Sequence, residues 1–127
     1  MNCGISKTIN LQFDKAVEKI TAELQKEGFG ILTTIDVKET LKKKLDVDFK
    51  RYVILGACNP PFAHKALQAE ENIGLLLPCN VIVYDKSGQT VVAAFDPLTM
   101  MKLLDNPAIE PIAKEVKERL TRVIGAM

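Results

Sequence analysis

The sequence predicts an α+β fold in which helices cover a mixed, mostly antiparallel sheet of five strands. Segments with the period of a strand alternate with segments with the period of a helix, which is typical of a sheet layered with helices. Apolar segments at 74–84 and 90–95 flank the turn sequence Asp85-Lys86-Ser87-Gly88, and this arrangement predicts an antiparallel hairpin. A hairpin near the end of the sheet fits a mixed sheet better than a fully parallel one.

The chain has the length and composition of a single domain. Its 127 residues are 47% apolar and 26% charged. That composition can bury a connected core without disulfides or a structural metal. We therefore expect one domain over residues 1–127.

Charge and hydropathy disfavour several classes of partner. Seventeen basic and sixteen acidic residues give a net charge of +1, so no overall field attracts nucleic acid. No apolar stretch is long enough to span a membrane, and the first residues lack the pattern of a signal peptide. The three cysteines are an odd number without CxxC spacing, which favours reduced thiols. We expect a cytoplasmic protein without nucleic-acid or membrane partners.

The first half of the chain predicts a helix between two strands, followed by a short helix. Val17, Ile20 and Leu24 repeat at helical spacing within a predicted helix over 15–27. The segment from Phe29 to Ile35 then alternates between apolar and other residues, as a half-buried strand does. Asp36 and Glu39 form an acidic capping box, which predicts a short helix from about 37 to 44.

The middle of the chain predicts a strand that ends directly at a helix. The continuous apolar run 52–58 is typical of a strand covered on both faces. Asn59 can cap the next helix and Pro60 suits its first position. The segment 74–84 resembles a strand that Pro78 interrupts, because proline removes one hydrogen-bond donor from the ladder. Two final helices complete the chain, the first opening at Asp96-Pro97.

The sequence CNPPFAHKAL at 58–67 contains the most distinctive candidate residues. Cys58 directly precedes a helix N-terminus, whose amides and dipole could stabilise a thiolate or bind a small anion. His64 is the only histidine, so any histidine-dependent proton transfer or metal ligation must use it. Each residue also has a structural interpretation, with Cys58 as a buried packing residue and His64 as a solvated residue at a helix edge.

A second thiol extends this candidate site. Cys79 follows Pro78, and it would approach Cys58 if the two strands are neighbours. Cys58, His64 and Cys79 would then form a donor set suited to zinc, although separations of 6 and 15 residues match no compact zinc motif. Thiol-transfer or redox chemistry is the alternative for the same three groups. Asp96 could be a catalytic carboxylate, but its place before proline favours helix capping.

These segments resemble the bacterial and archaeal family called domain of unknown function 302. The segments that carry the resemblance are GACNPPFAHKAL at 56–67, GLLLPCNVIVYD at 74–85 and AFDPLTMM at 94–101. The resemblance covers nearly the whole chain and implies a small α+β domain, homodimeric in some members, without an assigned reaction. It also directs attention to the motif positions as site candidates, which are Cys58, Asn59, Pro60, His64, Pro78, Cys79, Asn80, Asp96 and Pro97.

Three hypotheses about function follow. The first is a domain that binds a small molecule, an anionic group or a metal ion in a Cys/His pocket where strand 52–58 meets its helix, with Asn59 and Asn80 orienting the ligand. The second is an enzyme that uses Cys58 as nucleophile and His64 as general base. The third is an interaction protein that forms a homodimer through its sheet edge or an apolar helix face, with structural thiols.

Overall fold

The computed structural model describes residues 3–127, which contain five strands, five α-helices and three short 3₁₀ helices. The strands are β1 (Gly4–Ile9), β2 (Gly30–Asp36), β3 (Tyr52–Cys58), β4 (Cys79–Lys86) and β5 (Gln89–Phe95). The α-helices are α1 (Phe13–Lys26), α2 (Val37–Leu45), α3 (Pro60–Ala69), α4 (Met100–Leu103) and α5 (Glu110–Gly125). The 3₁₀ helices are Glu71–Leu76, Pro97–Thr99 and Pro107–Ile109. Within residues 3–127, each helix is too short or too polar to cross a bilayer.

The five strands form one sheet in the order β1-β5-β4-β3-β2. The α+β class, the five strands and the β4–β5 hairpin are therefore confirmed. The expected parallel component does not occur, because every strand pairing among the described residues is antiparallel. The physical reason is that α1 carries the chain from one edge strand, β1, to the other, β2, so these two strands never become neighbours.

Helices α1 and α5 pack on one face of the sheet and form the main core with it. This face displays small and branched apolar side chains, which are Val53, Leu55, Val81, Val83, Val92 and Ala94. The two helices contribute apolar residues at helical spacing, among them Ile20, Leu24, Leu120 and Val123. Their burial supplies most of the hydrophobic stabilisation of the fold.

The opposite face of the sheet is only partly covered. Ile54 and Ile82 pair across β3 and β4 at its centre, and both are half-buried. The run 52–58 was expected to be covered on both faces, and that expectation is wrong, because only Val53, Leu55 and Ala57 point towards the helices. None of the residues of α2, beside this sheet, is buried.

A β-bulge in β2 changes which side chains share a face. Ile31 pairs with Ala57 and Thr33 pairs with Gly56, so Leu32 is an extra residue without a partner in β3. Ile31 therefore lies on the helix-covered face, whereas Ile35, which pairs with Ile54, lies on the other. The uninterrupted alternation expected from Phe29 to Ile35 is wrong for this reason, since a bulge shifts the side-chain period by one residue.

The segment before β4 also differs from the expectation of a strand. Residues Glu71–Leu76 form a 3₁₀ helix, and β4 begins only at Cys79, after a cis peptide bond between Leu77 and Pro78. Proline cannot donate to a sheet ladder, so it precedes the strand. The Pro78 ring lies against the backbone of β3, where a Cβ on Gly56 would come within 2.8 Å of Pro78 Cγ.

We predict that Gly56→Ala destabilises the protein by about 1–3 kcal/mol. The new methyl group would collide with the Thr33 hydroxyl as well as with the Pro78 ring. Gly30→Ala is the matched control, because a Cβ there meets no atom within 4 Å, and it should cause no loss of stability. Urea unfolding of both variants measures the difference, and equal midpoints would contradict the close packing at Gly56.

Candidate functional site

Two cysteine-asparagine pairs, Cys58-Asn59 and Cys79-Asn80, lie at the same end of the sheet. Cys58 ends β3, Cys79 begins β4, and Ala57 pairs with Cys79 in the antiparallel register. Strand alternation places Cys79 on the helix-covered side with Ala57, whereas Cys58 leaves β3 from the opposite side. Both residues nevertheless border one cavity that opens at this end of the sheet.

The cavity lies between this end of the sheet, helix α3 and the start of α5, and its volume is about 340 Å³. Helix α3 contributes Phe62, Ala63, Ala66 and Leu67, and the C-terminal region contributes Ile109, Ile112, Ala113 and Val116. Phe29, Ile73, Leu77 and Met100 complete the apolar wall. No lining residue carries a charge, so the wall is apolar except for two thiols and the Asn59 amide. Pockets of this volume and character hold small organic molecules.

Two exposed leucines mark the mouth of the cavity. Leu32 is 67% exposed and Leu67 is 43% exposed, and both border the cavity. Leu32 is the extra residue of the β2 bulge, and bulges commonly redirect a side chain next to a site. Large apolar side chains of this exposure at a concave surface are typical of a binding site.

The two thiols on the wall differ in exposure. Cys58 is half-buried, whereas Cys79 is only 8% exposed. Burial raises the pKa of the Cys79 thiol to about 11, and the neighbouring Cys58 adds to this increase, because a buried thiolate loses its hydration and a second one repels it. At neutral pH the Cys79 thiol is therefore an uncharged part of the wall.

Asn59 binds the C-terminus of α1 rather than capping α3. Its Nδ2 donates to the Glu27 carbonyl at 3.1 Å, and its side chain accepts no bond from the first turn of α3. Arg119 Nη1 donates to the same carbonyl at 2.9 Å. The expected capping role of Asn59 is therefore wrong, because the unsatisfied carbonyl of α1 is the competing partner.

The N-terminus of α3, which was expected to favour an anion, offers it few amide donors. Pro60 occupies the first helical position, as predicted, and Pro61 follows it, so neither position has an amide proton. The Ala63 amide donates to the Asn59 carbonyl at 2.9 Å. Phe62 is thus the only one of the first three positions with an amide proton, which is too few donors to surround an anion.

His64 does not join the two thiols. It lies exposed on α3 and does not border the cavity, and no side-chain hydrogen bond links it to Cys58 among residues 3–127. The same described residues contain no group of three His, Cys, Asp or Glu side chains placed to hold a metal ion. The structure therefore does not assemble Cys58, His64 and Cys79 into the zinc site expected from sequence, and it does not supply Cys58 with the expected base.

The remaining candidates divide between the cavity wall and the surface. Pro78 borders the cavity, whereas Pro60 and Asn80 are exposed and lie outside it. Asp96 accepts a hydrogen bond from the Leu98 amide at 2.9 Å and pairs with Lys117 at 3.0 Å. Asp96 is thus a helix cap, and the following Pro97 borders the cavity.

Sequence analysis missed most of the cavity wall. Alanines at positions 63, 66 and 113 face the cavity from α3 and α5, and small side chains there leave the volume unfilled. The helical stripe of apolar residues in 62–69 predicts burial but does not indicate that the opposing helix also presents a small residue. The signal in the sequence is therefore too weak to distinguish a packed helix interface from a cavity.

The fold and the site together define a class of protein, a single antiparallel α+β domain with an apolar cavity at one end of its sheet. The chain belongs to the family described as domain of unknown function DUF302, whose sequence model matches residues 5–127. It is similar to a crystal structure of an uncharacterized conserved DUF302 protein from Bacillus stearothermophilus, with a TM-score of 0.91, 28% identity and 98% of each chain covered. A comparison with curated proteins gives no match. The resemblance inferred from sequence is thus confirmed.

We predict that iodoacetamide labels Cys79 far more slowly than Cys58 in the folded protein. Only the thiolate reacts, and a thiol whose pKa is raised to about 11 is less than about 1% ionised at pH 8.5. Labelling of Cys79 should therefore increase about tenfold per pH unit and level off only near pH 11. Mass spectrometry of digested protein measures each site, and labelling in urea is the control, since unfolding should remove the difference. Equal rates in the folded protein would show that Cys79 is not buried as described.

Proposed function

We propose that this domain binds a small apolar molecule in the cavity between α3 and α5. The observation that carries the proposal is the combination of a volume of about 340 Å³ with a wall that contains no charged residue. Water is held in a cavity only by two to four polar partners, and this wall offers few. A ligand that displaces weakly held water and buries apolar surface gains free energy on binding.

The size of the cavity limits the ligand to a small molecule. An apolar protein cavity of roughly 150 Å³ accepts one benzene ring, so a cavity of about 340 Å³ accommodates about two fused rings or an aliphatic chain of comparable size. Phe29 and Phe62 both border the space, and aromatic side chains stabilise bound rings through offset or edge-to-face contacts. These features favour a compact ligand with aromatic or branched apolar groups.

We predict that the neutral fluorescent probe 1-aminonaphthalene, which has two fused rings, binds the protein and that Ala63→Leu weakens this binding at least about tenfold, because the added side chain occupies the cavity. Ala108→Leu is the matched control, since Ala108 is exposed and does not border the cavity. Fluorescence titration gives the dissociation constants, and circular dichroism verifies that both variants are folded. Unchanged binding by Ala63→Leu, or no binding by the unaltered protein, would contradict the proposal.

We also propose that the protein forms a homodimer through the partly covered face of the sheet. Ile54 and Ile82 lie at the centre of this face, and Tyr52 stacks on Tyr84 beside them at a centroid distance of 5.2 Å. Helix α2 buries none of its residues, and a helix of nine residues depends on packing for its stability. A partner that covers both the sheet face and α2 would supply that packing.

The dimensions and charge of this face suit a second copy of the chain. Five strands spaced about 4.8 Å apart, with six residues rising about 3.3 Å each, present roughly 480 Å² in projection. Helix α2 enlarges this area towards the roughly 800 Å² that each partner of a stable complex contributes. The net charge of +1 produces little repulsion between two copies.

We predict that Ile54→Lys converts a dimer to a monomer, because it places a charge at the centre of the proposed interface. Leu103→Lys is the control, since Leu103 is 65% exposed and lies on α4, away from this face. Sedimentation velocity measures the oligomeric state over a range of concentrations. A monomeric unaltered protein at high concentration, or a dimer that tolerates Ile54→Lys, would disprove this interface.

We propose that the protein works in a reducing compartment such as the cytoplasm. All three cysteines are free thiols, and free thiols persist where glutathione and thioredoxin keep them reduced. An oxidising environment would expose the half-buried Cys58 to oxidation.

A further inference from the structure

We infer that the ligand of the cavity is an uncharged molecule with one hydrogen-bond donor, and that Asn59 Oδ1 accepts this donor. The inference rests on the proposed binding function and specifies the chemistry of the ligand. It follows from the few polar groups at the wall and from the partners that each of them already has.

The cavity has no group that would compensate a charged ligand. No lining residue is basic or acidic, and Pro60 and Pro61 remove the amides with which the start of α3 would otherwise bind an anion. The guanidinium of Arg119 lies 5.1 Å from the centroid of the Phe62 ring, but Arg119 does not border the cavity. Two of its donors bind the Glu27 carbonyl and the Glu115 carboxylate. An ionised ligand would lose its hydration here without gaining a partner, which is strongly unfavourable.

Asn59 is the one lining residue with an amide side chain, and only one of its two polar atoms has a protein partner. The residue is 8% exposed and borders the cavity. Its Nδ2 donates to the Glu27 carbonyl, which fixes the orientation of the amide and leaves Oδ1 as the acceptor. Among residues 3–127 no hydrogen bond reaches this oxygen from the first turn of α3, where a capping partner would lie. No side-chain polar atom of the described residues is both fully buried and without a partner, so this oxygen is open to water or to a ligand. A ligand hydroxyl or N–H group can replace water there and donate to it.

The two thiols do not change this conclusion. Cys79 is an uncharged, weakly polar group because of its burial, and a thiol is both a weak donor and a weak acceptor. The strongest single polar contact available is therefore an O–H or N–H group of the ligand that donates to Asn59 Oδ1. Alcohols, phenols and indoles combine such a group with an apolar body of suitable size.

The test compares three ligands that share one ring system at pH 7. 2-Naphthol is neutral and has a donor, 2-methylnaphthalene has the same shape without a donor, and 2-naphthoate is ionised. We expect 2-naphthol to bind at least about threefold more tightly than 2-methylnaphthalene, since a neutral hydrogen bond contributes about 1 kcal/mol, and at least about thirtyfold more tightly than 2-naphthoate. Competition with bound 1-aminonaphthalene gives all three dissociation constants.

The outcomes separate this inference from the function on which it depends. If none of the three ligands binds, the binding function itself fails. If 2-naphthoate binds as tightly as 2-naphthol, or if 2-methylnaphthalene does, the binding function stands and the inferred ligand chemistry is overturned.

Asn59→Leu provides a second readout on a variant verified to be folded, because it should abolish the preference for 2-naphthol over 2-methylnaphthalene. A preference that persists in this variant would exclude Asn59 as the acceptor. The matched control is Asn80→Leu, at an exposed position outside the cavity, which should leave the preference unchanged.

Discussion

The carbonyl of Glu27 at the end of α1 is the point on which the arrangement around the cavity depends. A helix leaves its last carbonyls without partners, and this carbonyl receives donors from two other helical regions, through Asn59 and Arg119. The Glu27 carboxylate also pairs with Arg122 at 2.9 Å, and that hydrogen bond holds the pKa of Glu27 below its ordinary value. Gly28 follows with φ +87°, and a side chain there would press on Asn59 Nδ2 at 3.0 Å. One junction thus fixes α1, the start of α3 and α5 relative to each other.

This junction explains why a cavity persists beside a well-packed core. The main core fills the space between the sheet and helices α1 and α5, and a smaller apolar cluster joins Ala66 of α3 to Ile73, Met100 and Ile109. The hydrogen bond from Asn59 to the Glu27 carbonyl holds the start of α3 in place. The helix therefore cannot move freely to close the gap that small side chains leave beside it. Ala66 and Ala113 are both buried at this gap, and partial relaxation is the general reason that such spaces remain open.

The sequence was sufficient for the fold class and for most of the elements, and it was insufficient for the details of strand pairing and for the site. Helical periodicity, capping residues and turn residues depend on local chemistry. For this reason α1, α2 and the β4–β5 hairpin could be predicted to within a few residues. The bulge at Leu32 could not be predicted, since it arises from the pairing of β2 with β3. The wall of the cavity involves residues from 29 to 116, and the spacing of small residues in one helix does not reveal what the other helix presents. His64 was selected for its chemistry alone, and its place on the surface is a consequence of helix orientation.

The two Cys-Asn pairs show why position rather than residue type determines the site. Both pairs lie at one end of the sheet, yet Asn59 is buried against α1 and Asn80 is exposed within β4. The difference arises because the chain turns into α3 after Cys58, which carries Asn59 towards the Glu27 carbonyl, whereas after Cys79 the chain continues as a strand and alternation directs Asn80 away from the helices. A buried amide whose nitrogen is already bonded presents only an acceptor, while an exposed amide presents both functions to water. The same dipeptide therefore places an amide at the cavity wall in one position and at the surface in the other.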